Sequence, residues 1–320
     1  MKYALGIDIG GTSIKASFVS EDGHLSPRIT MLVDKNKKQE ESLKDFCRQI
    51  DQNFSIAEED FLGIGVGCPG GINPKKGTCD YATNLHWKDF PIVSLLRERY
   101  GKPCFIENDA NVALLGEIYF GVGKNFRNVV FLTLGTGVGS GLYLDGKIYS
   151  GNEGKGAELG HSTVEAHGRL CACGRRGCLE CYASASALTK DAAWAMAHHP
   201  ESKMWEFCSK PEKMNGALVF QAEKMGDQTA KEVIDNYIFY LGEGCLNFCN
   251  IFRPEAIILG GGVAKQGEYL RAKVESYVAR NGYGLLKDNP PKTQILISCL
   301  GSEAGIYGAG ALCFENLRNS

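Results

Sequence analysis

Tyr3-Ala4-Leu5-Gly6-Ile7-Asp8-Ile9, then Gly10-Gly11-Thr12, then the apolar-rich run from Ile14 to Val19 is the stretch that decides the fold. Residues 3–9 are apolar almost throughout, as in a strand buried on both faces. The glycines turn the chain, and Ile14 to Val19 reads as the returning strand of a hairpin. The same design recurs later. Asn128 to Leu134 reads as a strand, Gly135-Thr136-Gly137-Val138-Gly139 as its turn, and Ser140 to Leu144 as the return, with Asp145-Gly146 leading into a third strand at Lys147 to Tyr149. Two hairpins of one design predict two related lobes. Each lobe presents a loop rich in backbone N–H groups and small side chains, which is what phosphate oxygens need for close approach. A single Gly-Gly-Thr turn is ambiguous, because glycines also merely turn hairpins. Two such loops, with an acidic residue in the first strand, point to phosphate.

Working outward, Gln39 to Phe54 is a polar amphipathic segment, and Phe61 to Val66 is a strand emptying into Gly67-Cys68-Pro69-Gly70-Gly71, a loop able to expose backbone groups to a ligand. After a variable stretch carrying Asn84-Leu85-His86-Trp87, a strand at Pro103 to Ile106 delivers Glu107-Asn108-Asp109-Ala110-Asn111 to a helix running from Ala110 to Tyr119. Asp109 therefore sits at a strand-to-helix junction. The C-terminal half is mainly helical, near 184–197, 216–225 and 229–252, before a strand at Ala256 to Leu259 ends in Gly260-Gly261-Gly262. A strand emptying into three glycines is a further candidate ligand edge. A strand from Gln294 to Leu300 precedes Gly301-Ser302-Glu303-Ala304-Gly305, which opens a small-residue helix to Phe314.

Between the halves lie Glu158-Leu159-Gly160-His161, Cys171-Ala172-Cys173-Gly174 and Gly177-Cys178-Leu179-Glu180. One imidazole and three thiolates, His161, Cys171, Cys173 and Cys178, make a complete tetrahedral set for Zn2+. Four protein ligands leave no open position, so this zinc is expected to be structural. The alternative is a group of ordinary reduced cysteines beside an unrelated histidine. Cys181 falls outside the pattern and reads as core.

Composition fits a soluble enzyme of roughly two domains, since 320 residues with 44% hydrophobic content are ample for buried cores. A formal charge of -2 with no basic run gives no footprint for nucleic acid. Thirteen cysteines, an odd number in a chain too long to need disulfide staples, suit a reducing compartment. Lys2 and Asp8 interrupt the N-terminal apolar run too early for a signal peptide or a membrane span, so a cytoplasmic protein is expected.

Taken in order, Asp8-Ile9-Gly10-Gly11-Thr12 with Lys15, Glu107-Asn108-Asp109-Ala110-Asn111, Leu134-Gly135-Thr136-Gly137-Val138-Gly139, Glu158-x-Gly160-His161, the cysteine box and Leu259-Gly260-Gly261-Gly262 resemble the ROK family of repressors and sugar kinases. The resemblance runs along essentially the whole chain. It implies an α/β fold of the two-lobed actin, hexokinase and Hsp70 (ribonuclease H-like) ATPase type, each lobe on a five-stranded mixed sheet. The expected lobes are residues 1–107 with 305–320, carrying the first phosphate loop, and residues 108–304, carrying the second loop, the zinc site and sugar-binding residues.

The resemblance also implies roles. Asp109 looks like the base that accepts the sugar hydroxyl's proton as that oxygen attacks the γ-phosphorus. Its alternative is a helix cap, since Asp is a preferred N-cap. Gly70, Asn84, Asn108, Glu158, His161 and Glu180 are similar to sugar-contacting positions, where carboxylates, an amide and an imidazole can pair with vicinal hydroxyls. If one His161 nitrogen binds zinc, the other carries the proton and can donate to the sugar. An isolated glutamate at 158 or 180 would otherwise be a solvated charge. Asp8 looks like an outer-sphere Mg2+ residue. Gly10, Gly11, Thr12 and Lys15 resemble the first ATP phosphate loop, Thr136 and Gly137 the second, and Gly260, Gly261 and Gly262 the adenosine edge. For Lys15 the alternative is a solvated charge on an edge strand.

The expected activity is ATP-dependent phosphorylation of a hexose at its 6-hydroxyl, glucose first, with N-acetylmannosamine, N-acetylglucosamine or fructose as alternative substrates. A repressor would carry a helix-turn-helix ahead of the first phosphate loop, and Asp8 lies too near the start for one. A non-catalytic sugar sensor would be expected to lack Asp109 or a phosphate loop. The resemblance suggests a homodimer or homotetramer, while the charge balance and the N-terminal run predict neither nucleic acid nor membrane as partner.

Overall fold

The computed structural model describes residues 1–55, 57–283 and 292–318. The chain opens with β1 (Tyr3–Ile9), β2 (Ser13–Ser20), β3 (Ile29–Leu32), α1 (Gln39–Asn53) and β4 (Phe61–Cys68). Next come β5 (Gly71–Asn73), β6 (Thr78–Ala82), β7 (Trp87–Phe90), α2 (Ile92–Tyr100), β8 (Cys104–Asn108) and α3 (Asp109–Tyr119). The middle holds β9 (Val129–Leu134), β10 (Val138–Leu144), β11 (Lys147–Ile148), α4 (Glu180–Ala183), α5 (Ala185–His198), α6 (Met204–Phe207), α7 (Gly216–Lys224) and α8 (Gln228–Phe252). The last elements are β12 (Ala256–Gly260), α9 (Gly261–Ala264), α10 (Glu268–Asn281), β13 (Gln294–Ile297) and α11 (Ala304–Arg318).

The strands form two five-stranded sheets, β3-β2-β1-β4-β8 and β11-β10-β9-β12-β13, and a three-stranded sheet, β5-β6-β7. The two larger sheets correspond strand for strand. In each, the hairpin lies on one side of a central strand, β1 or β9, and a parallel strand, β4 or β12, lies on the other. A second parallel strand, β8 or β13, completes the order. The doubled hairpin of the sequence is thus a doubled sheet.

The chain divides into two compact units. The first comprises Met1–Arg127, Gly141–Ala157 and Cys299–Ser320, the second Asn128–Ser140 and Glu158–Ser298, with the boundary running through β10. In the first unit, β1 shows why its run is apolar on both faces. Alternate side chains leave a strand in opposite directions, so Leu5, Ile7 and Ile9 join a core with Phe46 and Ile50 of α1, while Ala4 meets Ile306 and Phe314 of α11 on the other face. All three of Leu5, Ile7 and Ile9 are fully buried, each contributing about 1.5–3 kcal/mol of hydrophobic stabilisation. On the α11 side the backbone approaches so closely that only glycine fits. A Cβ on Gly6 would lie 2.4 Å from the Ile306 carbonyl oxygen, and one on Gly65 would lie 1.7 Å from that of Ala309.

The expected lobes, 1–107 with 305–320 and 108–304, have other limits than these units, and residues 56, 284–291 and 319–320 of those ranges lie outside the described residues. The physical reason for the first unit's limits is α3. A Cβ on Gly116 would lie 2.4 Å from the Ala304 oxygen and one on Gly308 1.6 Å from that of Val112, so α3 and α11 are seated backbone to backbone. Asp109 therefore belongs to the first unit.

In the second unit β12 is buried throughout, and α8 is its longest helix. Asp227 caps α8 by accepting from Ala230 N at 2.8 Å and also accepts from Ser202 Oγ at 2.7 Å. The expected strand at 294–300 stops at Ile297, and α11 begins at Ala304 after a short turn over Gly301–Glu303. No helix among the described residues is long and apolar enough to cross a membrane.

Candidate active site

In the first unit, Asp8 of β1 faces Lys15 across the hairpin, and the two are register partners. Lys15 Nζ lies 3.5 Å from Asp8 Oδ2 and donates to the Ser302 carbonyl at 3.4 Å, so Lys15 is not simply a solvated edge charge. Burial raises the Asp8 carboxyl above its ordinary value, against the lowering pull of Lys15. Gly305 is the wall, since a Cβ there would stand 2.6 Å from Asp8 Cγ. The turn between β1 and β2 is closed by Gly10 N donating to Ser13 O at 2.9 Å. The N–H groups of Gly11 and Thr12 have no protein acceptor among the described residues, so they are the donors this loop offers a ligand. Asn84, exposed in a short turn after β6, lies against Gly11, 3.4 Å from where its Cβ would be.

At the junction of β8 and α3, Asn108 rather than Asp109 caps the helix. Its Oδ1 accepts from Ala110 N at 2.9 Å and from Asn111 N at 3.4 Å, and its Nδ2 donates to Gly70 O at 3.4 Å. Asp109 is the first helical residue and half-buried, with Oδ1 accepting from Ala110 N at 2.9 Å. The Asn108 amide keeps one oxygen for the helix and turns its nitrogen toward the loop at Gly70. That loop needs glycine, because Gly70 has φ +91° and a Cβ there would lie 2.1 Å from Tyr81 O.

In the second unit, the loop between β9 and β10 is tied by Gly135 N to Gly137 O at 3.0 Å, and Gly135 O accepts from Ala185 N at 2.8 Å. Thr136 at its tip is exposed. Glu180 Oε2 accepts from Val138 N at 3.0 Å, and a Cβ on Gly137 would lie 2.2 Å from that oxygen. Glu180 is accordingly no solvated charge but a buttress of the second loop, and its Oε1 accepts from Cys171 Sγ at 3.8 Å. Glu158 is exposed just before the short helix Leu159–His161, which is held down by Leu159 N donating to Ser140 Oγ at 2.9 Å. Gly261, with φ +84°, would place a Cβ 2.7 Å from the Leu134 backbone, so the triple glycine closes directly on the end of β9.

His161, Cys171, Cys173 and Cys178 come together, their ligand atoms all within 4.8 Å of one another. Cys173 Sγ is 3.7 Å from Cys178 Sγ, and Cys171 Sγ is 3.6 Å from His161 Nδ1. A tetrahedral zinc site with bonds of about 2.3 Å to sulfur and 2.0–2.1 Å to nitrogen has edges of about 3.8 Å and 3.6 Å, which these two separations match. Burial, with hydrogen bonds that the thiol donates to Cys173 and Cys171, pushes Cys178 up to about 12. A buried neutral thiol of this kind becomes a thiolate when it binds a cation. His161 turns Nδ1 toward the sulfurs, which leaves Nε2 for another partner. Cys181, expected in the core, is half-buried and lines a cavity of about 810 Å³ that also meets Thr136, Glu180 and Ser184.

One residue beside Asn108 and Asp109 had no role in the sequence reading. Glu107 is only 6% exposed, yet its Oε1 accepts from Asn108 N at 2.8 Å and Asn111 Nδ2 at 3.2 Å, and its Oε2 from Ser150 Oγ at 2.7 Å. A carboxylate ending an apolar strand directly before Asn-Asp was its signal, because a buried charge must be hydrogen-bonded. Ser140 and Ser184 were missed as well. Ser184 caps α5 by accepting from Ala187 N at 3.0 Å, and nothing but the cap preference for Ser marks it in sequence.

The profile of the ROK family matches residues 4–316. The glucokinase of Thermotoga maritima is 34% identical over 322 residues, covering 98% of each chain. The xylose repressor of Bacillus subtilis is 29% identical over 98% of this chain and 77% of its own. The crystal structure of a ROK family glucokinase from Streptomyces griseus, in complex with glucose and AMPPNP, superposes with a TM-score of 0.81 at 30% identity over 98% of this chain and 99% of that one. The motifs, the actin-like ATPase fold with its doubled sheet, and these matches agree: the chain belongs to the ROK family.

Proposed function

We propose that the protein is an ATP-dependent hexose kinase that transfers the γ-phosphoryl group to the 6-hydroxyl of glucose. The observation that carries this reading is the division of labour at the start of α3. Asn108 takes the cap, so the Asp109 carboxylate is not needed to hold the helix. Relatives at 33–34% identity that act as glucokinases support glucose as the acceptor.

A sugar hydroxyl is a weak nucleophile until its proton has somewhere to go. Asp109 accepts that proton as the oxygen attacks phosphorus, and the leaving ADP keeps the electron pair of the broken P–O bond. Asn108 donates to the sugar through Nδ2, since its oxygen is committed to the helix. Gly70, Asn84, Glu158, His161 and Glu180 complete the sugar ligands, with His161 using Nε2 and Glu180 the oxygen not held by Val138. Gly11, Thr12 and Lys15, in a turn shaped by Gly10, and Thr136 with Gly137, hold phosphates. The adenosine lies by Gly260, Gly261 and Gly262, which close on the end of β9. Mg2+, when bound with ATP, neutralises phosphate charge, and half-buried Asp8 suits it through a water, since Mg2+ keeps most of its own. Zn2+ on His161, Cys171, Cys173 and Cys178 braces the sugar-facing imidazole. We also propose a cytoplasmic homo-oligomer.

The similarity to a xylose repressor favours one second reading, sugar binding without phosphoryl transfer. ADP release measured over glucose, fructose, N-acetylglucosamine and N-acetylmannosamine, alongside calorimetric binding of each, separates the two. The kinase reading expects turnover with glucose highest, and its 3-epimer lower by roughly a hundredfold, since an inverted hydroxyl strands buried polar partners. Binding without turnover would establish the second reading. A higher specificity constant for N-acetylmannosamine would overturn glucose alone.

A further inference from the structure

We propose that the first unit holds a second ligand site, a cavity of about 600 Å³ walled by α2, β8, α3, β11 and α11, which takes a phosphate monoester of monosaccharide size. Lys75 and Lys76 in the turn between β5 and β6, Arg97 on α2 and Lys147 on β11 bring four cationic side chains to it. Lys75, Lys76 and Lys147 form no ion pair with any carboxylate among the described residues, whereas Lys155 close by is paired with Asp80 at 2.8 Å. Arg97 is already anchored, its Nη2 donating to Cys104 O at 2.9 Å, so it offers a fixed guanidinium rather than a mobile one.

The two carboxylates in the lining are outnumbered by the four cations and do not cancel their charge. Both oxygens of Glu107 are taken by Asn108 N, Asn111 Nδ2 and Ser150 Oγ. Burial raises the carboxyl of Glu315, against the pull of Tyr119, Arg318 and Lys147, and its Oε2 is sealed from water with no hydrogen-bond partner. Converging ammonium groups suit the point charges of a phosphate dianion. Val93, Ile106, Leu115 and Leu312 line the remainder, which suits the carbon body of a small sugar better than a bare ion. The volume lies within the range of small-molecule sites, roughly 300–1,000 Å³.

The place of the cavity gives it a consequence. Glu107 is both part of its wall and the residue that holds the backbone N–H of Asn108, so an occupant bears on the end of β8, directly before Asp109. An effect on turnover rests on the kinase reading above, whereas binding does not.

The test is calorimetric titration of the full chain with ribose 5-phosphate, inorganic phosphate and ribose, in saturating glucose and a non-hydrolysable ATP analogue to fill the phosphate loops. Ribose 5-phosphate is expected to bind, inorganic phosphate more weakly, and ribose not at all. The Lys76→Ala/Lys147→Ala double variant, changed only at exposed side chains, should weaken ribose 5-phosphate on the order of tenfold or more, about 1.4 kcal/mol per tenfold, with an unchanged melting temperature. An unchanged Kd in that variant, or no binding to the wild-type chain at ten-millimolar ligand, overturns the site. Inorganic phosphate binding as tightly as ribose 5-phosphate overturns the sugar-phosphate assignment in favour of the free ion. Turnover is measured separately with and without ribose 5-phosphate, so failure of the kinase reading leaves the binding result standing.

Discussion

Replacing Asp109 by asparagine and, separately, Asn108 by alanine exchanges two effects that adjacent residues keep apart. Asn108 holds the start of α3 through Oδ1, to Ala110 N at 2.9 Å and Asn111 N at 3.4 Å, and this cap is untouched by Asp109→Asn. What that change removes from the helix is one negative charge in its first turn, worth about 0.3–1 kcal/mol. The 2.9 Å bond from Ala110 N can pass to the amide oxygen. Stability should therefore fall by no more than about 1 kcal/mol. Turnover should fall by roughly a hundred- to ten-thousand-fold, the usual worth of a positioned general base and about 2.7–5.5 kcal/mol of barrier. Glucose affinity should stay within about tenfold, because shape and hydrogen bonding are kept.

Asn108→Ala reverses the pattern of stability. Loss of an N-cap costs about 0.5–2 kcal/mol, and the Nδ2 bond to Gly70 O at 3.4 Å goes with it. Denaturant unfolding measures the first quantity, coupled ADP release the second and calorimetry the third. Near-normal turnover in Asp109→Asn would falsify the base assignment. If instead Asp109→Asn unfolds the chain more than Asn108→Ala does, Asp109 is the residue that holds the helix, and the division of labour is wrong.

Asp8→Ala should raise the Mg2+ concentration needed for half-maximal rate by about 10–100-fold, as loss of an outer-sphere partner does; an unchanged requirement removes Asp8 from the metal. Purified protein should carry one zinc per chain by elemental analysis, and Cys173→Ser should lower both metal content and melting temperature; a folded chain free of zinc refutes the site. Gly65→Ala puts a Cβ 1.7 Å from a backbone oxygen of α11, and denaturant unfolding should show a loss at the upper end of about 1–3 kcal/mol. Glu315→Gln tests a sign: burial raises this carboxyl, so the native state holds its proton more tightly than the unfolded chain, and ionisation costs stability once pH rises past the unfolded value. The variant should thus melt higher than wild type at pH 8 and alike at pH 4, and a gain confined to acid would reverse the assignment.

Much of this was legible because its signals are local. The β1 to β2 and β9 to β10 hairpins, α1, α3, α5, α7 and α8 follow from apolar runs, glycines and caps close together in sequence. The three-stranded sheet was not legible. Its strands β5 and β7 span only Gly71–Asn73 and Trp87–Phe90, too short to show a period, and Gly71 gains its meaning only from Tyr81, whose ring would lie 2.3 Å from a Cβ there. Helix α2 was hidden by the proline before it, and α10 by a polar sequence that buries only Leu270, Val274 and Val278. The reach of α11 was hidden too, because Gly6, Gly65, Gly116 and Gly308 look like ordinary breakers until the helix that needs them is in place.

Within the site, the grouping of His161 with Cys171, Cys173 and Cys178 could be read from spacing, because the three cysteines lie within eight residues and thiolate chemistry is restrictive. The pair at Asn108 and Asp109 could not be resolved in that way. Asn and Asp are about equally good N-caps, so from sequence either could hold α3 and either could face a ligand. The backbone decides between them: Asn108 has φ -60° and ψ 143°, the extended geometry of a cap, and Asp109 is already inside the first turn. Buried Glu107 enforces this choice by holding the Asn108 N–H at 2.8 Å, which fixes the residue at the very end of its strand. A carboxylate directly after that point sits in the first turn, at the positive end of the helix dipole, while the cap is made by its neighbour.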